Sequence, residues 1–393
     1  MTMLSTDNLL DAAQDIGPLI QEHAAEVERQ RRPAKAVLDA LTAAGLQRMF
    51  TPETLGGLEV DPVTYARAAE TIAGFDSVAG WALQAGNHVA WWCSRLPDEG
   101  AEEIYANGPD TLIAGAFHPP QPTVEVDGGY QVTGRAPLAS NIHDSDWLLL
   151  TGMVMDDGRP RMVNEAPVML QLILRASDVE IVDTWRALGM RGTDSHDVTF
   201  DSVHVPAARA FPLDPNPRLG RHYQGPLYRL SGMAIVVAIF TPVTLAIGRK
   251  ALDAFRELAL SKTPMGLSNT LRERTMAQAV FAEAEGMLRA ARTLFYDTLA
   301  QAWERAKAGE PATLEHNADL MLAGTHAANT AAKVADMMQN TAGASAIYEA
   351  SAIERCFRDA QTLRNHGLVC KSRYETVGQV YLGVPPEFPF VHL

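Results

Sequence analysis

The sequence predicts an α+β, mainly helical fold in three consecutive parts: an N-terminal helical domain (residues 1–108), a central antiparallel β-barrel or β-sandwich domain (109–218) and a C-terminal four-helix bundle (219–393). Apolar residues recur at helical spacing at both ends of the chain. The middle switches to short alternating runs separated by turn residues. With 393 residues, 47% hydrophobic and no low-complexity tract, the chain is long enough for several domains around a large core.

In the first part, Pro33 opens a segment in which Val37, Leu38, Leu41 and Leu46 share one helical face, with Gly45 near its end. A second helix is predicted over Pro62–Ala73. A third covers Val78–Trp92, where Gly80 and Gly86 imply close packing. In the second part, Thr111–Ala116, Thr123–Val126, Tyr130–Thr133, Trp147–Val154, Val168–Leu174, Val179–Val182 and Val198–Val205 read as strands. Asp127-Gly128-Gly129 marks a hairpin. The third part carries long periodic segments at 227–261, 270–308, 313–341 and 347–369, with Pro242 inside the first. The Pro-containing tail, 383–393, is expected to be extended.

A net charge of −14 argues against a nucleic-acid partner and an anionic membrane surface, because both need a basic face. Cys93, Cys356 and Cys370 form no CxxC pair and read as reduced thiols of a cytoplasmic protein. Residues 1–11 carry no signal pattern. The apolar run Met233–Ile247 is short for a bilayer and contains Pro242, so it reads as a buried helix. No GxGxxG, P-loop, HExxH or GxSxG motif is present. No histidine pairing suggests a metal, and none is expected.

Leu188-Gly189-Met190-Arg191-Gly192-Thr193-Asp194-Ser195 leads into Phe200-Asp201-Ser202-Val203-His204-Val205-Pro206. Alone this is a glycine turn entering a strand. Together with Pro52, Gly56-Gly57, the Gly129–Gly134 hairpin, and Gln339, Gly343 and Arg358-Asp359-Ala360, it resembles the acyl-CoA dehydrogenase family over nearly the whole chain. Gly80-Trp81, His88, Leu112–Gly115, Ala139-Ser140-Asn141 and Asp146-Trp147 are similar to its group D flavin monooxygenases. Asn141 stands where many of those have Gly.

The resemblance implies a flavin contacted by Ser140, Asn141, Thr193 and Ser195, residues that otherwise read as turn formers. It places Lys262, Arg272, Arg274 and Gln278 where relatives bind the flavin's phosphate or adenine end, often from a neighbouring subunit, and adds Gln339 and Gly343 of the last-helix region as cofactor contacts. Family dehydrogenases use a glutamate base, either shortly after the Arg-Asp-Ala motif or in the first bundle helix. Residues 360–367 and 226–249 contain no Asp or Glu. His366 falls almost at the first of these slots, so it and Ser140 are the candidate catalytic residues. An imidazole that titrates near neutral pH suits proton transfer, and a helix-end cation capped by Gly367 is the plain alternative. His88, Trp92 and His143 are candidate substrate contacts, with His118 a further loop histidine.

The implied activity is the oxygenase component of a two-component monooxygenase. It takes reduced FAD or FMN from a separate NAD(P)H:flavin reductase and uses O2, through a C4a-hydroperoxyflavin, on a small organic, aromatic or heteroatom-containing substrate. The implied assembly is a homotetramer. A dehydrogenase or oxidase of the same fold, and a flavin-free helical scaffold, are the other readings; the Ser140 and Arg191–Ser195 segments count against the scaffold.

Overall fold

The computed structural model describes residues 6–214 and 217–393, without the side chains of Thr6 and Asp7. The chain divides into two compact units. One comprises the residues up to 61, 82–186 and 191–229; the other comprises 62–81, 187–190 and 230–393.

The N-terminal helices are α1 (Thr6–Asp15), α2 (Gly17–Gln30), α3 (Lys35–Ala43), α4 (Pro62–Phe75), α5 (Ser77–Ala82), α6 (Gln84–Trp92) and α7 (Asp98–Ile104). Gly45 follows α3 at φ +77, the left-handed conformation that ends a helix cheaply at glycine. The single helix expected over Val78–Trp92 is split at Leu83. The Leu83 carbonyl accepts the Asn87 side chain at 2.8 Å, a local bond that competes with the helical ladder. Close packing explains the glycines on either side. A Cβ on Gly86 would overlap the Gln47 carbonyl, and one on Gly80 would overlap Ala73.

The strands are β1 (Ile113–Val126), β2 (Gly129–Ala139), β3 (Trp147–Asp156), β4 (Arg159–Pro160), β5 (Met162–Val163), β6 (Ala166–Pro167), β7 (Met169–Arg175), β8 (Glu180–Val182), β9 (His196–Pro206) and β10 (Ala210–Pro212). The main sheet runs β10-β7-β3-β1-β2-β9-β8, with β4 added to β3; β5 and β6 pair separately. All neighbours are antiparallel except β1 and β3, which are parallel. The two runs expected on either side of residue 120 form one strand, β1, whose pairing shifts between Ala116 and Gln121. The turn Asp127-Gly128 closes the hairpin as expected, with Gly128 at φ +76.

Strand alternation builds this unit's core. Ala114 and Ala116 stand beside Leu148 and Leu150, which in turn pair with Leu174 and Leu172, all on one face. β3 is buried at nearly every position, and on its second face Gln171 Nε2 donates to Thr151 Oγ1 at 2.9 Å.

The C-terminal helices are α8 (Gly232–Ser261), α9 (Thr275–Ala308), α10 (Leu314–Ala342), α11 (Ala352–Leu363) and α12 (Arg373–Tyr381). In the second unit α8 is central, packed by α4, α9, α10 and α11. Every residue from Gly232 to Gly248 is buried, so this helix has no polar face over that length. It continues through Pro242 to Ser261, and the described residues contain no other helix long and apolar enough to cross a membrane. The length argument made from Met233–Ile247 therefore fails; burial inside the unit identifies α8 as a core helix. The tail is not extended to its end. Pro389–His392 form a 3-10 turn, and Asn317 Nδ2 donates to the Val391 and Leu393 carbonyls at 2.9 and 3.3 Å.

Candidate functional site

Ser140, Asn141, Thr193 and Ser195 lie together in the first unit, between the end of β2 and the start of β9. Ser195 Oγ is 2.7 Å from both Ser140 Oγ and Thr193 Oγ1, so three hydroxyls form a chain. The Asn141 amide donates to the Thr193 carbonyl at 3.0 Å, locking the two turns together. Asn141 sits at φ +59, a conformation that glycine and asparagine adopt most readily. The residue that departs from its relatives' glycine thus meets the same backbone demand. Its Nδ2 donates to the Ala82 carbonyl at 3.3 Å, while the fully buried Oδ1 has no partner.

His143 adjoins this cluster. Its backbone N–H donates to Asp194 Oδ2 at 2.9 Å and its Nδ1 lies 2.6 Å from Oδ1. Burial raises the Asp194 carboxyl above its usual range, against the bonds from His143. His196 Nδ1 accepts from the Thr184 and Trp185 amides at 3.1 and 3.2 Å, which leaves the proton on Nε2, 3.4 Å from Asp194 Oδ1. Burial lowers its pKa, so His196 is a neutral donor. Asp194 and His196 were not among the residues selected from sequence. Their signal was their place inside the same glycine-turn motif. The three side chains have the composition of a metal site, but the 2.6 Å contact is a hydrogen bond that already satisfies His143 and Asp194.

His88 and Trp92, one turn apart on α6, are joined by a bond from Trp92 Nε1 to His88 Nε2 at 3.2 Å. Phe117 lies 5.3 Å from the His88 ring and 6.1 Å from Trp92. Phe211 stacks 6.5 Å from Trp92. His118 is exposed.

In the second unit His366 lies in the turn after α11. Its ring centroid is 4.6 Å from Phe240 and 5.8 Å from Trp81, and these two rings stack on each other at 5.0 Å. The ring is half-buried, and its loss of solvent among these aromatics pulls its pKa down to about 4, with no charged group contributing. Two expectations are corrected. His366 is neutral around pH 7 rather than poised between states, and Gly367 is not a left-handed cap, since its φ is not positive. The Leu368 amide faces Nδ1 at 3.4 Å, leaving the proton on Nε2.

The two halves of the sequence signature meet in this unit. The Gly189 amide donates to Thr362 Oγ1 at 2.9 Å and the Met190 amide to Asp359 Oδ1 at 2.5 Å. Gly189 passes so close to α11 that a Cβ would overlap the Arg358 carbonyl. At the end of α10, Lys262 Nζ donates to the Ala342 carbonyl beside Gly343, and Gln339 Nε2 donates to Ala346 O at 3.4 Å. Gln278 does not join them; it is exposed and donates to the Arg272 carbonyl.

Comparisons with known proteins give the chain's relatives. Models of the acyl-CoA dehydrogenase N-terminal and C-terminal domains match residues 12–104 and 238–370. The chain is 32% identical over 378 residues to an indole-3-acetate monooxygenase of Pseudomonas putida, covering 96% of this chain and 93% of the relative. It is 26% identical over 375 residues to the flavin-dependent monooxygenase oxygenase subunit HsaA of Rhodococcus jostii, with coverage of 94% and 96%. XiaF from Streptomyces, solved with FADH2 and glycerol, superposes with a TM-score of 0.91 over 98% of this chain and 97% of XiaF. At 22% identity this shows the fold.

The chain belongs to the acyl-CoA dehydrogenase family. Within that family it is the oxygenase component of a two-component flavin-dependent monooxygenase, which uses reduced flavin and O2 and relies on a separate reductase. The residues present fit that cofactor. A chain of hydroxyls and an orphaned, buried Asn141 Oδ1 offer the acceptors and donors that the ring's N–H and carbonyl groups require.

Proposed function

We propose that this enzyme oxygenates an aromatic acid of the indole-3-acetate type, as a cytoplasmic homotetramer. Ser140, Asn141, Thr193 and Ser195 serve the flavin ring, Lys262 and, from a neighbouring subunit, Gln278 serve its phosphate or adenine end, and Gln339 and Gly343 are further cofactor contacts. His88, Trp92 and His143 serve the substrate, and His366 handles the proton. The domain limits proposed from sequence, 108/109 and 218/219, accompany this reading.

The observation that carries the chemistry is a neutral imidazole where the family's dehydrogenases need a carboxylate. Proton abstraction beside a thioester needs a stronger base than an imidazole whose pKa has fallen to about 4. His366 instead stands among Trp81 and Phe240 with its proton on Nε2. It holds that proton ready for an oxygen atom, and the aromatic walls keep water from competing. The bound reduced flavin, with O2, supplies the oxygen atom. Ser140 and Thr193, bridged by Ser195, would hold the ring through their hydroxyls. The substrate reading draws on the indole-3-acetate monooxygenase relative and on the Trp92, Phe117 and Phe211 rings.

The deciding experiment supplies the protein with enzymatically reduced FAD or FMN, indole-3-acetate and 18O2. Incorporation of one labelled atom into product supports the reading. Flavin reduction by an acyl-CoA, without labelled product, overturns it. Light scattering at micromolar concentration tests the assembly, and a monomer refutes the tetramer.

A further inference from the structure

Just beyond α6, in the 3-10 turn Cys93–Arg95, a cation lies half-buried with no counter-charge among the described residues. The Arg95 Cζ sits 3.5 Å above the centre of the Trp91 ring and 5.2 Å from that of Trp92. Its bonds to protein both come from Nη1: to Ser94 Oγ at 2.7 Å and, more weakly, to the Trp91 carbonyl at 3.4 Å. Among the described residues Nε and Nη2 have no protein acceptor, and no carboxylate pairs with the group. Other arginines of the same unit behave differently. Arg32 forks onto Asp144, and Arg31 onto Asp183. Burial pulls the Arg95 pKa down to about 9 with no acidic group opposing it. A guanidinium held this way is strained toward any anion that can reach it, because desolvating a charge is costly until it is paired.

The neighbours define what that anion belongs to. His88, Trp92 and Arg95 follow one another at spacings of four and three residues, so they share one side of this segment. Trp92, Phe117 and Phe211 supply flat apolar walls, and Arg95 supplies a planar fork of donors at the end of the row. An aromatic ring bearing a carboxylate on a short arm is complementary to that order of groups.

We propose that Arg95 binds the carboxylate of the aromatic substrate and sets the enzyme's preference for acids over neutral ring compounds. This rests on the aromatic-acid reading above.

The test compares indole-3-acetate with 3-methylindole, which has the same ring and no carboxylate. Both are titrated calorimetrically, without oxygen, into enzyme carrying reduced flavin. Wild type should favour indole-3-acetate by roughly 10- to 100-fold, the range for a charge-assisted pair. R95M should abolish that preference, and R95K should keep part of it. If wild type shows no preference, or if R95M retains it, the assignment is wrong and Arg95 only packs on the tryptophans. If R95M does not fold, wild type alone decides through indole-3-acetate against indole-3-acetamide, where equal affinity refutes the proposal. Because binding is read without turnover, a protein that binds as described yet forms no oxygenated product sinks the oxygenation reading and leaves the anion site standing.

Discussion

Replacing His366 by glutamine removes a titrating group while keeping much of its bulk between Trp81 and Phe240. In the folded protein this imidazole has a pKa of about 4, against an ordinary value of 6.5, because burial disfavours its charged form. The unfolded chain therefore binds the proton more tightly. The stability His366 contributes is complete above pH 6.5 and is lost as pH falls through that value toward about 4. The gap corresponds to roughly 3 kcal/mol. Urea unfolding at pH 7.5 and at pH 4.5 measures it: wild type should lose on the order of 2–3 kcal/mol more than H366Q over that interval. Parallel losses in the two proteins would refute the buried, neutral imidazole. The same reasoning removes any acid limb due to His366 from the activity profile above about pH 5. It also revises what alanine does. H366A should be about 1–3 kcal/mol less stable, since two aromatic neighbours lose a partner. Product formation should fall about 10²–10⁴-fold, with oxygen consumption continuing as hydrogen peroxide release.

At Asn141, glycine should be tolerated in stability, whereas alanine at φ +59 should cost about 1–2 kcal/mol. Thermal midpoints of N141G and N141A give the order, and equal midpoints argue against the strained turn. Both variants should bind reduced flavin more weakly than wild type, and unchanged affinity would remove Asn141 Oδ1 from the flavin site. Gly189→Ala drives a methyl group into the Arg358 carbonyl and should destabilise the second unit by about 3 kcal/mol. An unchanged unfolding midpoint in that variant would mean that α11 moves freely aside.

Much of this was legible in the sequence because it is periodic or local. The change from helical spacing to alternation marked the strands, and Asp127-Gly128 fixed a hairpin that the structure reproduces. Motif spacing brought Ser140, Thr193 and Ser195 into one reading, and they do share hydrogen bonds. What stayed hidden depends on contacts across the fold. The parallel pairing of β1 with β3 leaves no trace in either strand's pattern. The split at Leu83 accompanies a bond from the Asn87 side chain to the Leu83 carbonyl, which no periodicity announces. The protonation state of His366 is set by Trp81 and Phe240, which lie 285 and 126 positions earlier in the chain (366 − 81 and 366 − 240). Arg95 resembles any surface arginine until the absence of a carboxylate around it can be seen.

The bonds from Gly189 and Met190 to α11 also bear on how the molecule is made. They join residues 173 and 169 positions apart. A ribosome adding about 5–20 residues per second needs roughly 10–35 s to supply those partners. Throughout that interval residues 187–190 have left the ribosome ahead of the helix that will hold them, while the neighbouring strands can already pair. The second unit is stitched from three stretches of chain, so its assembly waits for the last of them. The family signature around Gly189 is thus a late-closing seam. A nascent chain halted before Arg358 lacks α11, so the apolar length of α8 in the second unit stays uncovered on that side until the last stretch of chain arrives.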